Sequence, residues 1–404
     1  MSRLPSVLQP AWPLFKRAHR LLSLVLGIVF RRTSRVAGRR ALPRRATQMS
    51  VETARQEPDS VRLHPGGPAE EIDRPAPVGD PPDHPGFNSW LKGTTPARYT
   101  LEIDGGILVG DYAASITPAG TLDYETSGYF GIAGWREHPI FLRPVLPRLE
   151  HVEGDLLTLA TRGSSNNYYH FLLDVLPRWG IFREALPDRV PDAVYVPRGT
   201  AYQRQLLGML GIDSVPVVDV GRHVALQADR LLVPSTPNQE LAAPDWSFQW
   251  LRAQLPASGA ADLPRRLYVT RGDRPNTRRM VGEAEFWPAL QERGFFRLDP
   301  GSVSVQEQID LFAAAETVVG PHGAGLTNLV FARPGVRILE LFAPDYVNPC
   351  FWALAQNIPD VTYRYLVGGD SPSERRSRAM TGVLTDIRVD PQAFIKAVDE
   401  LLTA

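Results

Sequence analysis

The sequence has a single cysteine, Cys350, and only three lysines among its 404 residues. One cysteine excludes an internal disulfide and gives no support for a cysteine-ligated metal. His-Glu-x-x-His and Asp-x-Asp motifs are also missing, so neither a divalent metal nor another cofactor is expected. The apolar run at residues 21–30 is ten residues long, whereas a membrane-spanning helix needs about 20.

Acidic residues are absent from the start of the chain. Residues 1–50 hold eleven Arg or Lys and no Asp or Glu, whereas the whole chain has 44 residues of each sign. The remaining 33 basic and 44 acidic residues give the body a net charge of minus eleven. No nucleic-acid partner is expected of an acidic body. The basic segment has two interpretations, an amphipathic arm that contacts anionic lipid or a disordered leader, with translation starting at Met49.

The distribution of polar and apolar residues predicts three regions. Residues 1–97 are predicted to be a disordered basic leader and Pro-rich linker, because residues 50–97 lack hydrophobic periodicity. Residues 98–258 open with hairpin-like segments, a small β-rich entry region, and continue with alternating strands and helices. A second alternating series fills residues 259–404. The predicted fold is therefore α/β, with two Rossmann-like domains that face a cleft.

A glycine-rich stretch, Gly320–Asn328, follows a short apolar segment and precedes a predicted α-helix. Glycine lets backbone N–H groups approach a ligand, and a helix start adds unpaired N–H groups and a favourable dipole. The stretch is therefore a candidate site for a phosphate or diphosphate. The alternative is that the glycines only permit tight packing. The glycine order also differs from that of the dinucleotide-binding motif.

A second candidate lies on the helix predicted from Asn167 to Glu184. His170, Asp174 and Arg178 are spaced by four, which places them on one helix face. A histidine oriented by a carboxylate suits a general base. The alternative is a surface stripe with a local His–Asp pair.

Two further positions follow predicted strands, where ligands bind in doubly wound folds. Arg271 comes directly after the predicted strand Leu267–Thr270, and Arg278 lies nearby; arginine binds phosphate oxygens through a planar fork. Glu340 lies near the end of the next strand after the glycine stretch, where a carboxylate can accept hydrogen bonds from ribose hydroxyls.

Taken in order, three motifs resemble glycosyltransferase family 61, which includes bacterial capsular polysaccharide biosynthesis proteins and eukaryotic xylosyl- and N-acetylglucosaminyltransferases. The motifs are Asn167–Arg178, Tyr268–Arg271 and Gly320–Asn328, followed by Glu340-Leu341-Phe342. The resemblance covers roughly Tyr99 to Leu402. One departure is Gly282, where many members carry an asparagine.

The resemblance implies an inverting transferase of the two-Rossmann-domain (GT-B) type, which moves a hexose or pentose from a nucleotide sugar to a glycan or lipid-linked acceptor. The implied setting is capsular or cell-surface polysaccharide synthesis in the cytoplasm, with peripheral contact at the inner face of the plasma membrane. His170 and Asp174 become the expected catalytic pair. Acceptor-side residues would be Asn167, Tyr168 and Arg178. Donor-binding residues would be Arg271, Arg278, Gly320, His322, Gly323, Ala324, Gly325, Asn328 and Glu340.

Two other classes of function stay open. A transferase fold that has lost turnover would be a nucleotide-sugar- or glycan-binding protein. A Ser/His hydrolase would need a nucleophile within reach of His170 or His322, and the sequence has no Gly-x-Ser-x-Gly elbow. Sequence alone does not identify the sugar, the acceptor or the linkage.

Overall fold

The computed structural model describes residues 12–272, 278–369 and 385–404. Its residues separate into two compact units, each formed from separate stretches of the chain. The N-terminal unit contains Leu14–Glu70 and Pro96–Gln239. The C-terminal unit contains Glu71–Thr95 and Glu240–Ala404. The helix Asp245–Gln254, expected to lie before a domain boundary at residue 258, belongs to the C-terminal unit.

The α-helices of the described residues follow one another along the chain. They are α1 (Trp12–Thr33), α2 (Ser50–Gln56), α3 (Tyr168–His170), α4 (Leu176–Ala185), α5 (Ala201–Met209), α6 (Asp245–Gln254), α7 (Glu283–Glu292), α8 (Val305–Ala314), α9 (Cys350–Ala355) and α10 (Pro391–Thr403).

The strands follow the same order. They are β1 (Arg45–Thr47), β2 (Val61–Pro65), β3 (Glu70–Asp73), β4 (Val78–Asp80), β5 (Lys92–Thr95), β6 (Tyr99–Asp104), β7 (Ile107–Val109), β8 (Ala114–Ile116), β9 (Thr121–Asp123), β10 (Glu150–Thr158), β11 (Ala193–Tyr195), β12 (Val217–Val218), β13 (Ala225–Pro234), β14 (Arg266–Val269), β15 (Met280–Val281), β16 (Phe296–Leu298), β17 (Thr317–Pro321), β18 (Arg337–Phe342), β19 (Thr362–Val367) and β20 (Ile387–Arg388).

The N-terminal unit is built on a mixed ten-stranded sheet. Its parallel part has the order β12-β11-β10-β13. The chain therefore runs from β10 outward to β12 and then returns to pair β13 on the other side of β10. This reversal is the topological switch point at which ligands bind in doubly wound sheets, beyond the carboxyl ends of the strands. The predicted β-rich entry is part of the same sheet, since β6 and β7 pair antiparallel with β13.

The C-terminal unit is built on a six-stranded parallel sheet of order β16-β14-β17-β18-β19-β4. The direction of winding reverses between β14 and β17, so this sheet has its switch point there. One face of the sheet is covered by α7 and α10, whose buried residues Phe286, Leu290, Phe394 and Val398 share one core with Val319 and Leu339 of the central strands.

Local sequence explains where several helices begin. Thr200 and Ser304 form capping boxes with Gln203 and Glu307, which satisfies N–H groups at the start of α5 and α8. Pro391 opens α10 at a position where no backbone N–H is needed, and Asp390 caps it.

The prediction that residues 50–97 are a disordered linker is wrong. This stretch contains α2 and β2 to β5, and β4 is the edge strand of the C-terminal sheet, with Gly79 opposite Tyr365 of β19. A Cβ on Gly79 would lie 2.4 Å from the Tyr365 ring, so only glycine fits there. Phe87 is buried against the rings of Trp352 and Tyr365. Short strands placed by distant partners leave no periodic signal in their own sequence.

The basic leader is also ordered over its described part. Residues 12–33 form α1, and one face of this helix is packed on the N-terminal unit. Gly27 lies against Phe141, and the Arg31 guanidinium stands 5.0 Å from the centre of the Trp135 ring. This finding contradicts the interpretation of the segment as a disordered leader.

Candidate functional site

At the switch point of the N-terminal sheet, a buried arginine joins the ends of β10 and β13. The side chain of Arg178 is 1% exposed. It donates to the carbonyl oxygens of Ala160 (2.7 Å) and Pro234 (2.9 and 2.5 Å). Burial lowers its pKa to about 10, so it remains charged at neutral pH. Arg178 therefore fixes the scaffold beneath the site, which contradicts its predicted place on the acceptor side.

Residues 171–175 form a π-helical turn between α3 and α4. Such a turn inserts extra backbone into a helix and is frequent at functional sites. The turn explains why Arg178 is buried, because residues spaced by four no longer lie on the same helix face beyond it. His170 and Asp174 keep their contact across it.

His170 belongs to a chain of three hydrogen-bonded side chains. Its Nδ1 lies 2.7 Å from Oδ2 of Asp174, and Oδ1 of Asp174 accepts from the Asn238 amide at 2.9 Å. Asn238 follows β13 and therefore reaches Asp174 from the other strand of the switch point. Among the described residues, Nε2 of His170 makes no hydrogen bond, and the side chain is 14% exposed. With Nδ1 held by the carboxylate, Nε2 is the nitrogen available to take a proton.

The loop before His170 is fixed by side chains from two neighbours. Gln203 of α5 donates to the carbonyl oxygens of Ser164 and Ser165. The ring of Phe130 lies 5.0 Å from the His170 ring, and the Arg162 guanidinium lies 3.8 Å from the centre of the Phe130 ring. An aromatic ring therefore borders the imidazole, and a cation lies against that ring.

The other predicted residues of this segment are peripheral. Asn167 caps α3 by accepting from the Tyr169 N–H. The Tyr168 ring packs edge-on against Tyr202, and burial raises its pKa.

At the switch point of the C-terminal sheet, two arginines converge on one oxygen. The carbonyl oxygen of His322, just after β17, accepts from Arg271 NH1 and from Arg278 Nε, both at 3.2 Å. A Cβ on Gly323 would lie 1.7 Å from Arg271 NH1, so glycine is required for this approach. Two guanidinium groups at one point repel each other and favour an anion between or beside them. The arrangement suits a diphosphate.

The imidazole of His322 is part of a buried acid–base pair. Its Nδ1 lies 2.5 Å from Oε1 of Glu340, and Oε2 of Glu340 accepts from the Tyr363 hydroxyl at 2.5 Å. Burial raises the pKa of Glu340 to about 8. Burial, followed by the charges of Arg278 and Arg271, lowers the pKa of His322 well below its usual value. At neutral pH the Glu340 carboxyl is therefore protonated, and it donates a hydrogen bond to the neutral imidazole of His322.

Two donor-site predictions are corrected by these contacts. Glu340 is fully buried, so its predicted contact with a ribose is wrong for this arrangement. Asn328 is also fully buried and donates to Gln308 Oε1 (2.8 Å) and the Gly325 carbonyl (3.2 Å), which makes it a brace for the turn.

The backbone of the glycine stretch also differs in detail from its prediction. Residues 324–331 form a 3₁₀ helix instead of the start of an α-helix, and Gly323 precedes it. Ala324 and Gly325 are half-buried at its first turn. Gly320 is inside β17, where it pairs with Glu340.

Sequence reasoning missed Asn238, Tyr363, Phe130 and Arg162. Asn238 lies in a polar loop directly after a strand, and this position was a usable signal. The other three come from distant segments, and nothing in their local sequence marks them. Within the described ranges, no group of three or more His, Cys, Asp or Glu side chains is arranged to hold a metal ion.

The fold is α/β, and the two candidate sites lie at the switch points of its two sheets. Residues 168–339 match the model of the family described as Glycosyltransferase 61. Over that stretch the match confirms the resemblance drawn from the motifs.

Three curated proteins are similar over shorter stretches. Beta-1,2-xylosyltransferase RCN11 of Oryza sativa subsp. japonica is 41% identical over 49 residues, 12% of this chain and 9% of that protein. Protein O-linked-mannose beta-1,4-N-acetylglucosaminyltransferase 2 of Tetraodon nigroviridis is 34% identical over 87 residues, 20% and 14% of the two chains. Beta-1,2-xylosyltransferase of Arabidopsis thaliana is 33% identical over 54 residues, 13% and 10%. The matched stretches thus span at most 14% of these relatives.

Proposed function

We propose that the protein is an inverting glycosyltransferase that moves a sugar from a nucleotide-sugar donor to a glycan acceptor. The observation that carries this proposal is the convergence of Arg271 and Arg278 on the His322 carbonyl oxygen, at the switch point of a family 61 domain. This position and charge fit the diphosphate of a nucleotide sugar.

The reaction needs one bond made and one broken. The acceptor hydroxyl oxygen bonds to the anomeric carbon from the side opposite the leaving group, and the bond from that carbon to the diphosphate oxygen breaks. His170 Nε2 takes the acceptor proton, and Asp174 and Asn238 hold the imidazole for this role. The nucleoside diphosphate leaves with the bonding electrons. Arg271 and Arg278 stabilise its growing negative charge.

The donor and the setting belong to the same proposal. The names of the relatives, xylosyl- and N-acetylglucosaminyltransferases, support a pentose or hexose donor. We place the reaction in capsular or cell-surface polysaccharide synthesis, on an acceptor held in the cytoplasm or at the inner face of the plasma membrane. We further propose that the two domains form a GT-B cleft and that no divalent metal is required.

Incubation with a panel of nucleotide sugars tests the function. Release of the nucleoside diphosphate from one donor, with transfer or slow hydrolysis of its sugar, would support the proposal. EDTA is expected to leave that release unchanged. Donor binding without any release would identify an inactive nucleotide-sugar-binding protein.

Replacing Arg271 by alanine is expected to weaken donor binding by about ten- to a hundredfold, the value of a charge-assisted hydrogen bond. Titration calorimetry with the nucleoside diphosphate measures this change. Arg293→Ala is the matched control, because Arg293 forms a surface ion pair with Asp399 in the same unit. An unchanged dissociation constant for Arg271→Ala would remove this residue from the donor site.

Replacing Gly323 by alanine is expected to weaken binding of the same diphosphate by about tenfold. The added methyl group would occupy the position of Arg271 NH1 and displace the guanidinium. Gly93→Ala is the control, since no atom lies within 4 Å of the added carbon there. If Gly323→Ala binds as tightly as the wild type, the position of Arg271 against the turn is unimportant for donor binding.

A further inference from the structure

One face of α1 presents an apolar surface to solvent. Its large side chains are 44–65% exposed. They are Leu21, Leu22, Val25, Ile28 and Val29, and they recur with the spacing of a single helical face. A stripe of five exposed aliphatic residues on one helix is unusual for a protein surface and marks an interaction site.

The opposite face of α1 is held by the N-terminal unit, so the helix cannot turn its apolar residues inward. Gly27 and Arg31 contact Phe141, and Phe30 packs against the same core. Arg20 forms an ion pair with Glu137 at 2.6 Å. The orientation of the exposed face is therefore fixed by contacts on the other side.

Cations border this face. Arg17 and Arg32 are exposed near the two ends of the stripe, and Arg35 and Arg39 are exposed in the 3₁₀ turns that follow. No Asp or Glu occurs before Glu52. Aliphatic side chains bordered by arginines are complementary to the acyl chains and anionic headgroups at a bilayer surface.

No helix among the described residues is long and apolar enough to cross a membrane. We propose that the exposed face of α1 docks flat on an anionic lipid bilayer, with Leu21, Val25 and Ile28 inserted at the level of the headgroups. This contact does not require transferase activity. It gives the basic segment a defined role, which is to hold the N-terminal unit at a membrane surface.

Sedimentation of the full chain with vesicles tests this surface. The wild type should pellet with vesicles of phosphatidylcholine mixed with phosphatidylglycerol, and much less with phosphatidylcholine alone. Val25→Glu places a charge in the middle of the stripe and should lower the partition coefficient by about tenfold or more. Arg32→Glu combined with Arg35→Glu should also lower it and remove its dependence on salt.

Val190→Glu is the matched control, because Val190 is 71% exposed elsewhere on the same unit. This variant should bind vesicles like the wild type, and all variants should keep the wild-type circular dichroism spectrum, since the changed side chains are exposed. A wild type that stays in the supernatant with anionic vesicles would overturn the proposal. So would a Val25→Glu variant that pellets equally well, or a wild-type dimer that Val25→Glu dissociates in light scattering.

The outcome is separate from that of the nucleotide-sugar panel. Vesicle binding without turnover would leave the membrane surface in place and remove the proposed reaction. Turnover without vesicle binding would support the proposed reaction and remove the membrane surface.

Discussion

Replacement of His170 by alanine is expected to lower kcat by about 10²–10⁴-fold, the contribution of a positioned general base. Donor affinity should stay the same, because the proposed diphosphate contacts are made by Arg271 and Arg278. Rates of transfer and the dissociation constant of the nucleoside diphosphate, measured on the same preparation, separate these two effects.

The chain offers a close control for this variant. His151 also pairs with a carboxylate, Asp229, in the N-terminal unit, but it is largely exposed and far along β10 from the switch point. His151→Ala should leave transfer unchanged. If His170→Ala loses donor binding, or if it transfers sugar at the wild-type rate, His170 is not the base.

Replacement of Glu340 by glutamine is expected to change how stability depends on pH. The unfolded carboxyl releases its proton near its ordinary pKa of 4.5, and the folded one releases it near 8. Between these values folding takes up a proton, so rising pH opposes folding of the wild type. The free energy of unfolding of the wild type should therefore exceed that of Glu340→Gln by most below pH 4.5. As the pH rises, this difference should fall by up to about 1.4 kcal/mol per pH unit and level off above about pH 8.

The other titratable side chains around Glu340 do not produce the expected pH dependence. Burial raises the pKa values of Tyr363 and Cys350, so both stay neutral over the range. Arg278 stays charged, and His322, whose pKa is lowered by burial, is present in both proteins. Glutamine can still donate to His322 and accept from Tyr363.

Urea unfolding at several pH values between 5 and 9 gives the two free energies of unfolding. Glu316→Gln is the control, because Glu316 is half exposed and pairs with Arg333 at the surface. Its stability relative to the wild type should hardly change with pH. Parallel curves for the wild type and Glu340→Gln would show that Glu340 is ionised in the folded protein.

Much of the fold was predictable because its signals are local. Apolar strands followed by glycine or polar residues indicate a parallel sheet, and the α/β class and the places of β10, β14 and β17 follow from them. The candidate sites follow too, since strand ends at one sheet edge collect the residues that come after them. His170 with Asp174, and Arg271 with the glycine stretch, are close in sequence or at neighbouring strand ends.

The failures have one physical cause, which is dependence on distant partners. The burial of Arg178 requires the π-helical turn and the carbonyl oxygen of Pro234, fifty-six residues away. The position of Glu340 near a strand end predicts a ligand contact, yet one of its oxygens accepts a hydrogen bond from Tyr363 on the next strand. Residues 78–80 have no strand signal of their own and become a strand because β19 provides the template.

The edge strand β4 affects how the chain folds during synthesis and where a fragment for expression can begin. The C-terminal sheet takes its last strand from residues 78–80, although the rest of that sheet comes from residues after 260. The ribosome adds nearly three hundred residues after β4 before β19 is synthesised, so β4 stays unpaired during that time. Pairing between such distant segments slows folding. A fragment that begins at residue 98 would leave β19 as an open edge, free to pair with another chain. Fragments for expression should therefore keep the segment before residue 98, even when only the stretch that matches the family model is wanted.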